Sequence, residues 1–255
     1  MLQVEIAVVK VPRHGVAESG DTLEAIERPG GGLSVVLVDG QGSGRGAKTL
    51  SNLIATRAMT QLKDGARDGV VARAVHDYLY TYRMGQVAAT LNILSVDFVS
   101  GSIRVSRNNP APFFVLDSGR VQMHSEPSTP IGLYPSTKPV ISEAPLHPGL
   151  QVVIFTDGLL KAGERYGADM ELGNYLAGWQ APSSAPAATL AEALLNRALE
   201  LDRGEPVDDM SVVVAAVLER EDTRRVRRMI IDVPVEKISE RHDDLHGDQF
   251  DQHNL

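Results

Sequence analysis

Val35-Val36-Leu37-Val38-Asp39-Gly40-Gln41-Gly42-Ser43-Gly44 carries the first decision about the fold. Residues 33–38 are almost continuously apolar, the pattern of a strand buried on both faces. Such a strand delivers the Asp39 carboxylate at its C-terminal end. The glycines after it let backbone atoms approach whatever that carboxylate holds. Taken alone, an Asp-Gly pair reads as a turn in which Asp39 caps the following helix. The pattern recurs, however. Val152-Val153-Ile154-Phe155-Thr156-Asp157-Gly158 is a second apolar strand ending in Asp-Gly, and Ser19-Gly20-Asp21 follows the first strand. Pro206-Val207-Asp208-Asp209-Met210-Ser211 sets carboxylates just before the last apolar strand, 211–218. Four acidic sites at strand ends would repel one another if they met without a cation, so convergence implies bound metal.

Outward from this segment the pattern changes twice. Residues 1–10 alternate as a strand and 12–21 read as a loop. Helical spacing marks about 47–62 and 70–82. Short strands are expected at 88–98, 102–107, 113–116, 121–123, 138–141 and 151–155. Asp97-Phe98-Val99-Ser100-Gly101 and Asp117-Ser118-Gly119 read as hairpin connections, which makes the strands antiparallel. Helices return at 170–179 and 189–202, separated by an Ala/Pro/Ser-rich linker at 181–188. The class is α+β, with helices packed outside stacked antiparallel sheets. One domain is expected over 1–218, followed by a charged tail at 219–255 that reads as disordered from 238. Its arginines between 220 and 228 are a candidate basic docking patch.

Composition narrows the chemistry. The 255 residues include no cysteine, which excludes disulfides, thiolate zinc sites, iron–sulfur clusters and thiol nucleophiles. A formal charge of −8 argues against nucleic acid as a partner. The longest apolar run, 212–218, is far short of the roughly 20 residues of a membrane helix. The start has a strand pattern and not that of a targeting peptide. These features point to a cytoplasmic protein without a membrane partner. Carboxylates and carbonyls without neighbouring histidine or cysteine suit magnesium or manganese better than zinc.

Gly20-Asp21, Asp39-Gly40-x-Gly-x-Gly, Thr156-Asp157-Gly158 and Asp208-Asp209-Met210-Ser211, in this order, resemble the metal-dependent PPM-type serine/threonine phosphatases. The SpoIIE-like bacterial branch fits best. Ala88-Ala89-Thr90-Leu91, Asn109-Pro110-Ala111-Pro112 and Pro130-Ile131-Gly132-Leu133 support the match, which spans nearly all of 1–218. The resemblance implies a four-layer αββα sandwich of two antiparallel sheets flanked by helices. It also implies two Mn2+ or Mg2+ ions: Asp39 bridging both, the Gly40 carbonyl on one, Asp21 on one, and Asp157 with Asp208 on the other. Asp209 is the alternative to Asp208. The implied activity is hydrolysis of phosphoserine or phosphothreonine by a metal-bridged hydroxide, with Asp39 and Asp157 as its catalytic carboxylates.

Within this branch, Asp39 to Gly44 and the stand-alone size resemble the RsbX subgroup, which acts on phosphorylated stress-signalling proteins. The expected substrate is therefore a STAS-domain or stressosome regulator, with no room in the chain for a preceding sensor domain. Two departures bear on substrate geometry. Many members carry histidine where Ser43 stands, and Asn-Ala-Gly-His where Val105-Ser106-Arg107-Asn108 stands. The basic phosphate-binding residue of eukaryotic relatives has no clear counterpart, although Arg13 lies nearby in sequence.

Two other readings compete. Gly42-x-Gly44-x-x-Ala47 imitates a dinucleotide fingerprint, but Asp39 would face the pyrophosphate and the chain does not continue as βαβ. A Walker-type loop fails because Lys48 follows Gly46 by two positions. A catalytically silent member kept as a binding module would normally have lost a metal carboxylate, and none is missing. His14, His76, His124 and His147 carry no assigned role. Tyr78, Tyr80 and Tyr82 read as helix packing and surface.

Overall fold

Alternate residues of the central strands point into different cores. In β3 (Gly32–Gly40), Val36 and Val38 pack under α1 (Gly44–Lys63) and α2 (Asp68–Arg83), while Val35 and Leu37 face the opposite sheet. In β10 (Met210–Glu219), Val212, Val214 and Ala216 face α4 (Leu172–Ala177) and α5 (Ala187–Leu201), and Val213, Ala215 and Val217 face inward. Burial on both faces is why these strands lack polar alternation. Truncating a fully buried member such as Leu37 to alanine should cost about 2–5 kcal/mol.

The computed structural model describes residues 1–179, 185–221 and 226–234. The remaining strands are β1 (Leu2–Val11), β2 (Asp21–Glu27), β4 (Ala89–Asp97), β5 (Ser102–Asn108), β6 (Phe113–Asp117), β7 (Arg120–His124), β8 (Val140–Pro145) and β9 (Gln151–Phe155). One sheet has the order β1-β10-β9-β6-β7 and the other β2-β3-β4-β5-β8. Every pairing is antiparallel. The helices cover the two outer faces, giving the αββα order of layers. β3 is antiparallel to both its neighbours, so the dinucleotide reading lacks the parallel unit it requires.

Several expected boundaries need correction. Asp21 does not end a loop but opens β2, an edge strand whose half-exposed residues give little periodic signal. β8 starts two residues later than expected and runs to Pro145, exposing alternate residues along its edge. The single helix expected at 170–179 is the short α4, preceded by α3 (Gly158–Lys161) and a 3-10 turn at Glu164–Tyr166. α5 begins at Ala187, so the expected linker is shorter, and its 181–184 portion lies outside the described residues.

Met1–Glu221 and Asp222–Leu255 are separate compact units. In the second, 226–234 has no helix or strand, and Val226, Met229, Ile230, Ile231 and Val233 are exposed. The stretch from 238 that reads as disordered lies outside the described residues, as do 222–225 of the arginine patch. Among the described residues, no helix is long and apolar enough to cross a membrane.

Candidate metal centre

Sheet register brings the first two carboxylates together. Asp39 has the parity of Val35 and Leu37 and therefore faces the opposite sheet. Asp21 lies directly across from it on β2, and Thr90 lies across from it on β4. Like charges directly opposite one another are destabilising. Asp21 is 1% exposed. Its Oδ2 accepts hydrogen bonds from Ser211 Oγ at 2.6 Å and Thr156 Oγ1 at 2.9 Å, both from the other sheet. Thr156 Oγ1 in turn accepts from the Ser211 N–H, leaving its own proton for Asp21. Among the described residues, Asp21 Oδ1 is buried without a hydrogen-bond partner. Lys10 and Lys48 each place Nζ 2.8 Å from the Asp21 carbonyl oxygen, fixing the backbone at this point.

Both carboxyls hold their protons unusually well. Burial pushes Asp21 up to about 7, against the opposing hydrogen bonds from Ser211 and Thr156. Burial, then the charges of Asp21, Asp157 and Asp208, push Asp39 up to about 8. The four acidic positions that converge in the sequence reading thus share one electrostatic environment. Gly40, next to Asp39, faces the helical layer. A Cβ there would lie 2.3 Å from the Ala47 carbonyl oxygen, so α1 can approach this closely only over glycine.

The second pair comes from the opposite sheet. Asp157 follows β9 and starts α3, and Asp208 lies just before β10. Lys161, at the end of α3, joins them, with Nζ 2.6 Å from Asp157 Oδ2 and 2.7 Å from Asp208 Oδ2. Burial pulls the Lys161 ammonium down, but hydrogen bonds to these two carboxylates outweigh it and hold the pKa above the ordinary lysine value. A Cβ on Gly158 would lie 2.1 Å from the Asp209 carbonyl oxygen, which shows how closely α3 abuts this loop.

Asp209 points elsewhere. Its Oδ1 accepts from the Arg13 N–H at 2.9 Å and its Oδ2 from the Gly20 N–H at 2.8 Å. It clamps the segment that leads into Asp21. The Arg13 side chain itself is exposed. Among the described residues, no three acidic, histidine or cysteine side chains form a closed cage around one point. The arrangement is two carboxylate pairs, with Asp39 of the first in electrostatic contact with Asp157 and Asp208 of the second.

Sequence reasoning missed the groups that hold these carboxylates. Thr156 and Ser211 adjoin the quoted motifs, and their hydroxyls are the signal available there. Lys161 is four residues beyond Asp157, the spacing of a helical ion pair. Arg107 is fully buried and donates to the carbonyls of Asn109, Ala111 and Glu126. Period-two alternation places it on the inner face with Ile103 and Val105. Asn109 Nδ2 then donates to the Phe155 carbonyl at 3.3 Å, bracing the strand end that carries Asp157. The departure around 105–108 is thus a structural brace in this chain. Ser43, the other departure, precedes α1 and makes no side-chain capping bond.

The residues present suit a hard divalent cation. They are oxygen donors throughout, Asp21 Oδ1 is buried and unmatched, and an ammonium already bridges Asp157 and Asp208.

Comparison with known proteins places this fold. The phosphatase domain of SpoIIE from Bacillus subtilis, with a fragment of its regulatory domain, matches at a TM-score of 0.76 and 18% identity, over 87% of this chain. The chain spans 65% of that structure. RsbX in complex with magnesium matches at a TM-score of 0.62 and 18% identity, over 85% of this chain and 100% of RsbX. The catalytic domain of the serine/threonine phosphatase PstP, in complex with two manganese ions, matches at 0.63 and 19%, over 86% of this chain and 100% of the other. No curated protein sequence gives a significant match. The profile of the family described as Stage II sporulation protein E (SpoIIE) matches residues 29–218. With the profile covering most of the folded unit and the PP2C fold around it, the chain belongs to the SpoIIE family of PPM-type phosphatases, a class of hydrolases.

Proposed function

We propose that this chain is a divalent-metal-dependent phosphatase acting on phosphoserine or phosphothreonine of a partner protein. One observation carries the reading. Asp21 is buried and stands opposite the half-buried Asp39 on the neighbouring strand, both with raised pKa, and among the described residues one Asp21 oxygen is unpartnered. Such a pair is a poor structural feature and a good cation site.

Asp21, Asp39, the Gly40 carbonyl, Asp157 and Asp208 would hold two Mn2+ or Mg2+ ions, with Asp39 of the first pair shared between them. Asp209 is better read as a loop clamp, since backbone N–H groups use both its oxygens. When bound, the ions would supply Lewis-acid polarisation and water activation. The protein's own part is positioning. Thr156 and Ser211 orient the Asp21 carboxylate, Asp39 must lose its proton to act as a ligand, and Lys10 and Lys48 hold the Asp21 backbone. A dianionic phosphoester can approach this acidic cluster only after the charge of the carboxylates is neutralised.

The domain carrying this activity is residues 1–218, with 219–255 as an appended tail. The family and the RsbX-like form of 39–44 support a phosphorylated signalling regulator, of STAS or stressosome type, as substrate in the cytoplasm. The test is hydrolysis of an aryl phosphate and of a phosphoserine STAS-domain protein with Mn2+, Mg2+ or chelator. Metal-dependent turnover on both is the expected result. No turnover on any phosphoprotein would favour a binding module instead.

A further inference from the structure

Lys161 occupies a place that neither the family motifs nor the proposed ligand set accounts for. An aspartate and a lysine four residues apart on one helical turn form an ordinary surface pair. The second contact is not ordinary. Asp208 arrives from the loop before β10, on a different element, yet its Oδ2 lies as close to Nζ as Asp157 Oδ2 does. One compact cation therefore bridges the two oxygens that, in the reading above, receive a divalent ion.

We propose that Lys161 is a tethered counter-cation that competes with the divalent ion for Asp157 and Asp208, and so sets the metal concentration at which this half of the site fills. The proposal rests on those two aspartates being cation ligands. An ammonium and a divalent ion held on the same two oxygens repel each other, so uptake of the ion drives the lysine side chain away. Its four-carbon stem and partial exposure permit that movement without rearranging α3. The exchange breaks no covalent bond, and the displaced ammonium stays charged in solvent. Among the described residues, no ammonium contacts the side-chain oxygens of Asp21 or Asp39. Among the described residues, the nearby ammonium groups are Lys10 and Lys48, both bonded to the Asp21 carbonyl oxygen, and Lys48 also to Thr22. Once the Asp21 and Asp39 carboxyls are ionised, the two halves should therefore fill in sequence, the Asp21–Asp39 half first.

Calorimetric titration of the full chain with Mn2+ tests this in wild type, Lys161→Gln and Lys161→Arg at one pH and ionic strength. Partly exposed ion pairs are weak, so the expected gain is modest. The weaker of two sites should tighten about three- to tenfold in Lys161→Gln, with the tighter site unchanged. Lys161→Arg should retain weak binding. A second readout follows the Lys161 ammonium resonance by NMR during Mg2+ titration, where it should shift as the weaker site fills. Two sites of unaltered affinity in Lys161→Gln, or a Lys161 resonance indifferent to Mg2+, would overturn this role while leaving the phosphatase reading intact. Absence of divalent-ion binding in every variant would overturn both.

Discussion

The two carboxylate pairs of the site are built on opposite physical terms. Asp21 and Asp39 lie within a sheet, facing the interior, with two hydroxyls on one oxygen of Asp21 and none on the other. Asp157 and Asp208 lie at strand ends, partly exposed, with Lys161 between them. Burial makes the first pair hold protons, and one ammonium offsets half the charge of the second. The first pair is rigid because its backbone belongs to a sheet. The second can change partners because its cation is on a flexible stem. In the proposed reading, the first half would receive an ion directly and the second only after the ion displaced Lys161.

The comparison breaks most completely at Asp39, which connects the halves. Asp39→Asn should reduce Mn2+-dependent aryl phosphate hydrolysis by about a thousandfold or more, because several kcal/mol of charge stabilisation are lost. It should also abolish high-affinity Mn2+ uptake by calorimetry. Asp208 and Asp209 separate function from structure. Asp208→Asn should lose activity and the weaker ion while melting near the wild-type temperature. Asp209→Asn should instead destabilise the fold by about 1–3 kcal/mol in urea unfolding, since the Arg13 and Gly20 N–H groups lose a charged acceptor.

A pH series sharpens the contrast between halves. In the folded chain Asp21 and Asp39 keep protons to about pH 7 and 8, whereas an unfolded aspartate releases its proton near 3.8. Their contribution to stability is full below about pH 4 and is lost as pH rises through 7–8. With chelator, thermal melts should therefore fall across this window. Mn2+ affinity should rise over the same window, because each proton lost frees a ligand. The smallest effect is expected from Thr156→Val. It removes one hydrogen bond to Asp21 and the acceptor of the Ser211 N–H, costing about 1–2 kcal/mol. Mn2+ uptake should move to higher pH, because the Asp21 carboxylate loses a donor.

What could be read from sequence follows from where each signal resides. The β3 and β10 runs are legible because burial on both faces removes every polar residue but those at their ends. The acidic candidates are legible because they interrupt apolar strands. β2 is not legible, although Asp21 begins it. As an edge strand with exposed Glu24 and Ala25, it lacks the period that reveals a strand. The choice between Asp208 and Asp209 is equally hidden, since adjacent aspartates look alike until one is seen to accept backbone N–H groups from a distant loop. Lys161 and Arg107 escape for the same reason. Their roles lie in tertiary contacts with Asp208 and with the carbonyls of 109–126, and no local pattern encodes those.

The central claim is that side-chain oxygens from both sheets surround divalent ions, and anomalous scattering from Mn2+-soaked crystals tests it most directly. The expected map has two manganese peaks on either side of the Asp39 carboxylate, one beside Asp21 or the Gly40 carbonyl and one beside Asp157 and Asp208. Peaks remote from Asp39, or none at saturating Mn2+, would contradict it.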